Sequence, residues 1–155
     1  MKRNRILAAA VAASFCAAAV PAANAQDEPN TIDPTAKATF VGKVKRVDGG
    51  KQGTLKVRYT CQQGEGLWIS AKQVASRKKD KALKEEGSSE LSAAYLMSHR
   101  NPITCDGATH TATFTVDKVE EGTKGRLKAG KAYVQFCITT KTGLTYSKSA
   151  FVTVK

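Results

Sequence analysis

Residues 54–61 read TLKVRYTC, and this octet decides the fold class. Leu55, Val57, Tyr59 and Cys61 take every second position; Thr54, Lys56, Arg58 and Thr60 take the others. Successive side chains of a strand point to opposite faces, so a period of two gathers the apolar groups on one side. A helix would scatter the same residues around its circumference. The octet therefore predicts a half-buried strand whose polar face meets water.

The same alternation recurs outward from there. In Thr109 to Val119, Ala112, Phe114 and Val116 face in, while Thr111, Thr113 and Thr115 face out. Lys131 to Thr140 places Ala132, Val134, Phe136 and Ile138 on one face, and Leu67 to Val74 does so with Leu67, Ile69 and Ala71. Tyr146 to Val154 supplies a last strand. Ala38 to Val47 is rich in β-formers but alternates poorly, and Asp48-Gly49-Gly50 after it is a turn signal, because glycine tolerates positive φ. Glycine-containing loops follow at 62–66, 120–125 and 141–143. About seven short strands with such turns read as an all-β, immunoglobulin-like β-sandwich over residues 36–155. Two segments resist this pattern. Ala75 to Gly87 (ASRKKDKALKEEG) is densely charged and reads as a short solvated helix or a mobile loop. Ser88 to His99 fits either period and is read as a strand.

The first 25 residues are a signal peptide by composition. Lys2, Arg3 and Arg5 form a positive start, Ile6 to Val20 is an uncharged and mostly apolar run, and Pro21 breaks it before Ala23-Asn24-Ala25. The run is shorter than a membrane-crossing helix needs, so no membrane span is expected after processing. Phe15 before Cys16 does not suit a lipoprotein signal, and Asn4 separates the arginines, which favours the general secretory route. The expected product is secreted, extracellular or associated with the cell wall. Gln26 to Thr35 is polar and broken by proline, and is read as a disordered lead-in.

Of 25 basic residues the leader takes three, which leaves 22 against 13 acidic residues and a net charge of +9. Such a chain attracts polyanions, here an anionic cell-wall polymer or polysaccharide; no specific nucleic-acid motif is present. Arg77, Lys78, Lys79 and Lys81 form the densest basic run and are the candidate contacts. Trp68, out of phase with Leu67 and Ile69, is a candidate aromatic platform for a sugar ring or a partner.

Cys61, Cys105 and Cys137 remain after processing, an odd number in an oxidising compartment. Three pairings are open. Cys61–Cys105 is favoured, since Cys61 ends a strand beside a glycine-rich loop and Cys105 lies in a turn that a bridge can tie down. Cys61–Cys137 would imitate the bridge between immunoglobulin sheets, but Cys137 is out of phase with Val134, Phe136 and Ile138. Cys105–Cys137 is the third. With the favoured pair made, Cys137 is a leftover thiol on the outer side of its strand, open to a disulfide-linked dimer. No C-x-x-C occurs, so zinc is not expected.

Thr54 to Cys61, the following LWISAKQ, the CDGATHTATFTV segment and the RLKAGKAYVQFC segment resemble an uncharacterised family of small secreted immunoglobulin-like proteins of Gram-positive bacteria. The resemblance implies an extracellular sandwich and a Cys61–Cys105 pair, and it implies no activity. The lysine-rich insert around Arg77 to Glu86 departs from that pattern. Locally, Leu127 to Tyr133 resembles the corner before strand F of fibronectin type III domains, where a tyrosine hydroxyl bonds back to the backbone.

No catalytic constellation stands out. His110 and Asp106 could join a serine in a triad, but no G-x-S-x-G elbow supports it. Glu85-Glu86 and Glu120-Glu121 are adjacent pairs, the wrong spacing for two carboxylates acting on one bond. No H-E-x-x-H and no phosphate-cradling glycine loop is present. The expected function is a non-catalytic, secreted binding or cell-envelope-associated module without cofactor or metal. The alternatives are a small secreted hydrolase and a carrier of a small apolar ligand.

Overall fold

The computed structural model describes residues 33–155 apart from Glu86 and Thr142. The expected leader at 1–25 and positions 26–32 of the expected lead-in lie outside the described residues. Ordered structure begins earlier than Ala36. The Asp33 carboxylate accepts from the Thr35 N–H at 3.0 Å and the Thr35 hydroxyl at 2.6 Å. Its other oxygen accepts from the Gln62 and Gln63 N–H groups at 2.8 and 3.2 Å. Burial pushes this carboxyl up, but the hydrogen bonds from Thr35, Gln62 and Gln63 outweigh it and hold the pKa at about 2. Polarity alone could not reveal that the carboxylate caps a remote turn.

The described chain is all-β. Its strands are β1 (Lys37–Val47), β2 (Gln52–Thr60), β3 (Gly66–Gln73), β4 (Ala94–Ser98), β5 (Thr109–Val116), β6 (Gly130–Thr140) and β7 (Gly143–Val154). They form one mixed sheet in the order β4-β3-β6-β7-β1-β2-β5. All neighbours are antiparallel except β1 and β7. The sheet curls into a half-barrel, and a bridge between Met97 and Asp117 brings its two ends together. The expected strand after Ser88 is confined to Ala94–Ser98.

The weak alternation of β1 has a structural cause. Its register with β2 shifts between Val41 and Lys45. Gly42, at φ +80°, lies in this irregularity. Val44 then turns to β7, where its carbonyl accepts from Lys155 at 2.9 Å. A strand that serves two neighbours across a bulge cannot keep one period. Val44 with Val154 is the one ladder pair between β1 and β7 among the described residues. Above it the facing edge of β7 has no strand partner, and a cleft of about 460 Å³ opens there, lined among others by Ala38, Phe40, Gly42, Lys148, Ala150 and Val152.

Inward residues of both halves fill one core. Leu55, Val57 and Phe114 meet Leu67, Ile69, Val134, Phe136 and Ile138 there. Phe114 and Phe136 pack edge to face at 5.4 Å, a geometry that adds to their burial. Cys61 and Cys105 are joined in a disulfide with Cα atoms 4.7 Å apart.

The charged insert does hold a short helix, a 3-10 turn, but it is anchored and not wholly solvated. Asp80 caps a 3-10 turn, Lys81–Lys84, by accepting from the Ala82 N–H at 3.0 Å. The turn drives Leu83 to complete burial. The Arg77 carbonyl accepts from the Lys131 N–H at 2.8 Å, which ties the start of the insert to β6. One buried leucine thus fixes a segment whose composition reads as solvated. The corner resemblance at Tyr133 fails in its central bond, since the Tyr133 hydroxyl donates to Ser149 Oγ at 2.8 Å and not to backbone.

Candidate polyanion surface

Because Leu55, Val57 and Tyr59 are buried, Thr54, Lys56, Arg58 and Thr60 point outward. The register adds their neighbours. Going along β2, Thr60 lies between Lys37 and Thr109, and Arg58 between Thr39 and Thr111. Lys56 lies between Val41 and Thr113, and Thr54 between Lys45 and Thr115. Directly opposed residues share a face, so these four rows form one outer surface across β1, β2 and β5. Each row holds one cation: Lys37, Arg58, Lys56 and Lys45 in turn, all exposed. No carboxylate occupies a row, and among the described residues none pairs with these four cations. Thr60 and Thr109 are hydrogen-bonded through their hydroxyls at 2.9 Å.

From sequence alone this polar face reads as merely solvated. The signal was present in the alternation of Lys56 and Arg58 with apolar residues. What sequence could not supply is the register, which sets Lys37 and Lys45 beside them.

The residues singled out from sequence are dispersed. Arg77, Lys78, Lys79 and Lys81 are exposed on the insert. Asp80 sits among them, and Arg77 has φ +58° and serves through its carbonyl as an anchor. Trp68 is half-buried on the outer face of β3, with His99 6.3 Å away ring to ring. Cys137 does lie on the outer side of β6, opposite Trp68, but it is buried at 4% exposure. The expectation of an exposed thiol is corrected: the outer face of β3, β4 and β6 is itself packed with side chains. Burial pushes the Tyr95 phenol up.

His110 Nε2 and Asp106 Oδ1 are 2.8 Å apart, and the imidazole ring lies 5.6 Å from that of Tyr59. The hydrogen bond from His110 lowers the Asp106 pKa. Among the described residues no serine or cysteine is bonded to His110.

A second polar group was missed from sequence. Lys72 is buried at 8% exposure on the outer face of β3. Its ammonium donates to Ser88 Oγ at 2.9 Å, and that hydroxyl donates to the Leu83 carbonyl at 2.9 Å. Tyr95 offers a ring face at 5.7 Å. No carboxylate pairs with it among the described residues, and burial lowers its pKa. The lysine acts as a peg that holds the insert, at the cost of desolvating a charge. The folded pKa lies below the unfolded one, so the unfolded chain binds more protons between them and stability rises with pH through that window. Lys72→Met should remove this alkaline rise and raise stability at pH 7 by about 1 kcal/mol, read by urea unfolding at pH 7 and at alkaline pH. A loss of more than about 1 kcal/mol would show the ammonium to be a net stabiliser.

No protein-family model and none of the curated proteins matches the chain.

Proposed function

We propose that the chain is an exported, non-catalytic binding module that holds an anionic polymer of the cell envelope on the outer face of β1, β2 and β5. One observation carries the reading: four consecutive rows of that face each present a cation, and none presents a carboxylate. Single surface charges bind weakly, but a polymer engages several at once and releases counterions at each contact. Export is supported by the leader-like composition of residues 1–25 and by a disulfide within the chain. The immunoglobulin-like sandwich is supported by the strand order, in which β1-β2-β5 and β4-β3-β6-β7 form two groups linked through the β1–β7 contact.

Retention of the purified protein on an immobilised teichoic-acid or heparin matrix tests the reading. The variant Lys37→Gln, Lys45→Gln, Lys56→Gln, Arg58→Gln should elute at clearly lower salt than the wild type. The variant Lys78→Ala, Lys79→Ala, Lys81→Ala should elute close to it. Equal elution of the wild type and the fourfold variant would sink the assignment of this face.

A further inference from the structure

We infer that the polymer is a linear polyol phosphate of the poly(glycerol phosphate) type, extended along β2 with one phosphate at each cationic row. This rests on the reading of the β1-β2-β5 face as a polyanion surface and adds the chemistry of its ligand.

The first argument is the repeat. Lys37, Arg58, Lys56 and Lys45 occupy consecutive rows, so the track of charge advances two residues along the strands at each step, with the first and last steps also crossing between β1 and β2. Two residues are six backbone bonds, with an extended reach of roughly 7 Å. A glycerol phosphate unit also spans six backbone bonds, from one phosphorus through two ester oxygens and three carbons to the next. An extended chain of it advances by roughly the same 7 Å, so its phosphates keep step with the rows, and the long side chains of Lys37 and Lys45 span the spacing of about 4.8 Å from β1 to β2. The second argument is the neighbouring track. In those same rows β5 supplies Thr109, Thr111, Thr113 and Thr115. Threonine hydroxyls both donate and accept, and β-branching stiffens them. Each glycerol carries one hydroxyl between phosphates, which suits a row of hydroxyls running beside a row of charge. The third argument is what the face lacks. A nucleic-acid strand shares the six-bond repeat but carries bases, which single-strand binders stack on aromatic side chains. The four rows contain no aromatic residue.

The test is titration calorimetry of the purified protein with poly(glycerol phosphate), with oligothymidylate of equal phosphate number and with heparin, from 50 to 200 mM salt. Four phosphate contacts give a logarithmic salt slope of about −3, a loss of roughly 60-fold over this range. Poly(glycerol phosphate) should bind tightest, and the fourfold glutamine variant should lose all three polymers. Thr111→Val with Thr113→Val should weaken poly(glycerol phosphate) several-fold, on the order of one lost neutral hydrogen bond, and leave its salt slope and the oligothymidylate affinity unchanged. Oligothymidylate or heparin binding as tightly as poly(glycerol phosphate) would overturn the ligand class while leaving the polyanion surface standing. Wild-type affinity in the fourfold variant, or no binding of any of the three polymers, would overturn both.

Discussion

Replacing Cys61 and Cys105 together by alanine should lower the unfolding free energy by about 4 kcal/mol. The bridge spans 44 residues of chain. Closing a loop of that length removes much of the freedom of the unfolded ensemble, and the loss grows with the logarithm of loop length. The region around the bridge is also held by weaker bonds. The Gly107 N–H donates to the Cys61 carbonyl at 2.8 Å, and the Thr104 N–H donates to the Tyr59 hydroxyl at 3.3 Å. These keep the native geometry once the sulfurs are gone, so the cost should fall on the denatured state. Urea unfolding of the double variant should then show a lower midpoint with a steeper slope, because a more open unfolded chain exposes more surface. A change under about 1 kcal/mol would mean that the unfolded chain already holds these segments together.

Gly50→Ala should cost about 3 kcal/mol, and Gly42→Ala only about 1 kcal/mol. Both glycines have φ in the left-handed region, at +88° and +80°. They differ in what a side chain would meet. At Gly50 a Cβ would lie 2.1 Å from the Leu127 carbonyl oxygen, a backbone atom with no room to yield. The Gly50 carbonyl also accepts from the Leu127 N–H at 2.9 Å, and Leu127 is buried. An alanine there must part the β1–β2 turn from the loop before β6. At Gly42 nothing lies within 4 Å of the same position, so only the conformational cost remains. Thermal unfolding of the two variants checks the contrast. Equal losses would show that backbone strain alone sets both.

The legible part of the fold was the part where the residues facing the core keep one period along the whole strand. β2 and β5 alternate because each has one face in the core and one towards solvent, and β6 keeps the same period of apolar residues although its outer face is covered too, so their inward residues were readable directly. β1 was blurred because its register with β2 shifts at a bulge, where Val44 also meets β7. The insert's short helix was one of its two readings, but its packing was not legible, because composition averages over residues whereas a single side chain, Leu83, decides that it packs. Cys137 was placed on the correct side but wrongly exposed, since alternation reports direction and not what lies beyond the sheet. The candidate surface was half visible. Lys56 and Arg58 stand out in one strand, but the track exists only once pairing sets Lys37, Lys45 and the β5 threonines alongside, and pairing between distant segments leaves no local trace.

The open flank of β7 bears on how this protein behaves when crowded. A row of backbone groups without a strand partner is a template for another chain, and long exposed edges lead to fibrous aggregates. Lys148 lies opposite Phe136 in the β6–β7 register and so on the core-facing side of β7, in the cleft beside β1. A foreign strand docking on that flank would have to bury its ammonium group against Phe40 and Ala150. The inward lysine therefore guards the one margin that β1 leaves uncovered, and it lets a strand cross between the two halves of the sheet without making the molecule adhesive to its own kind.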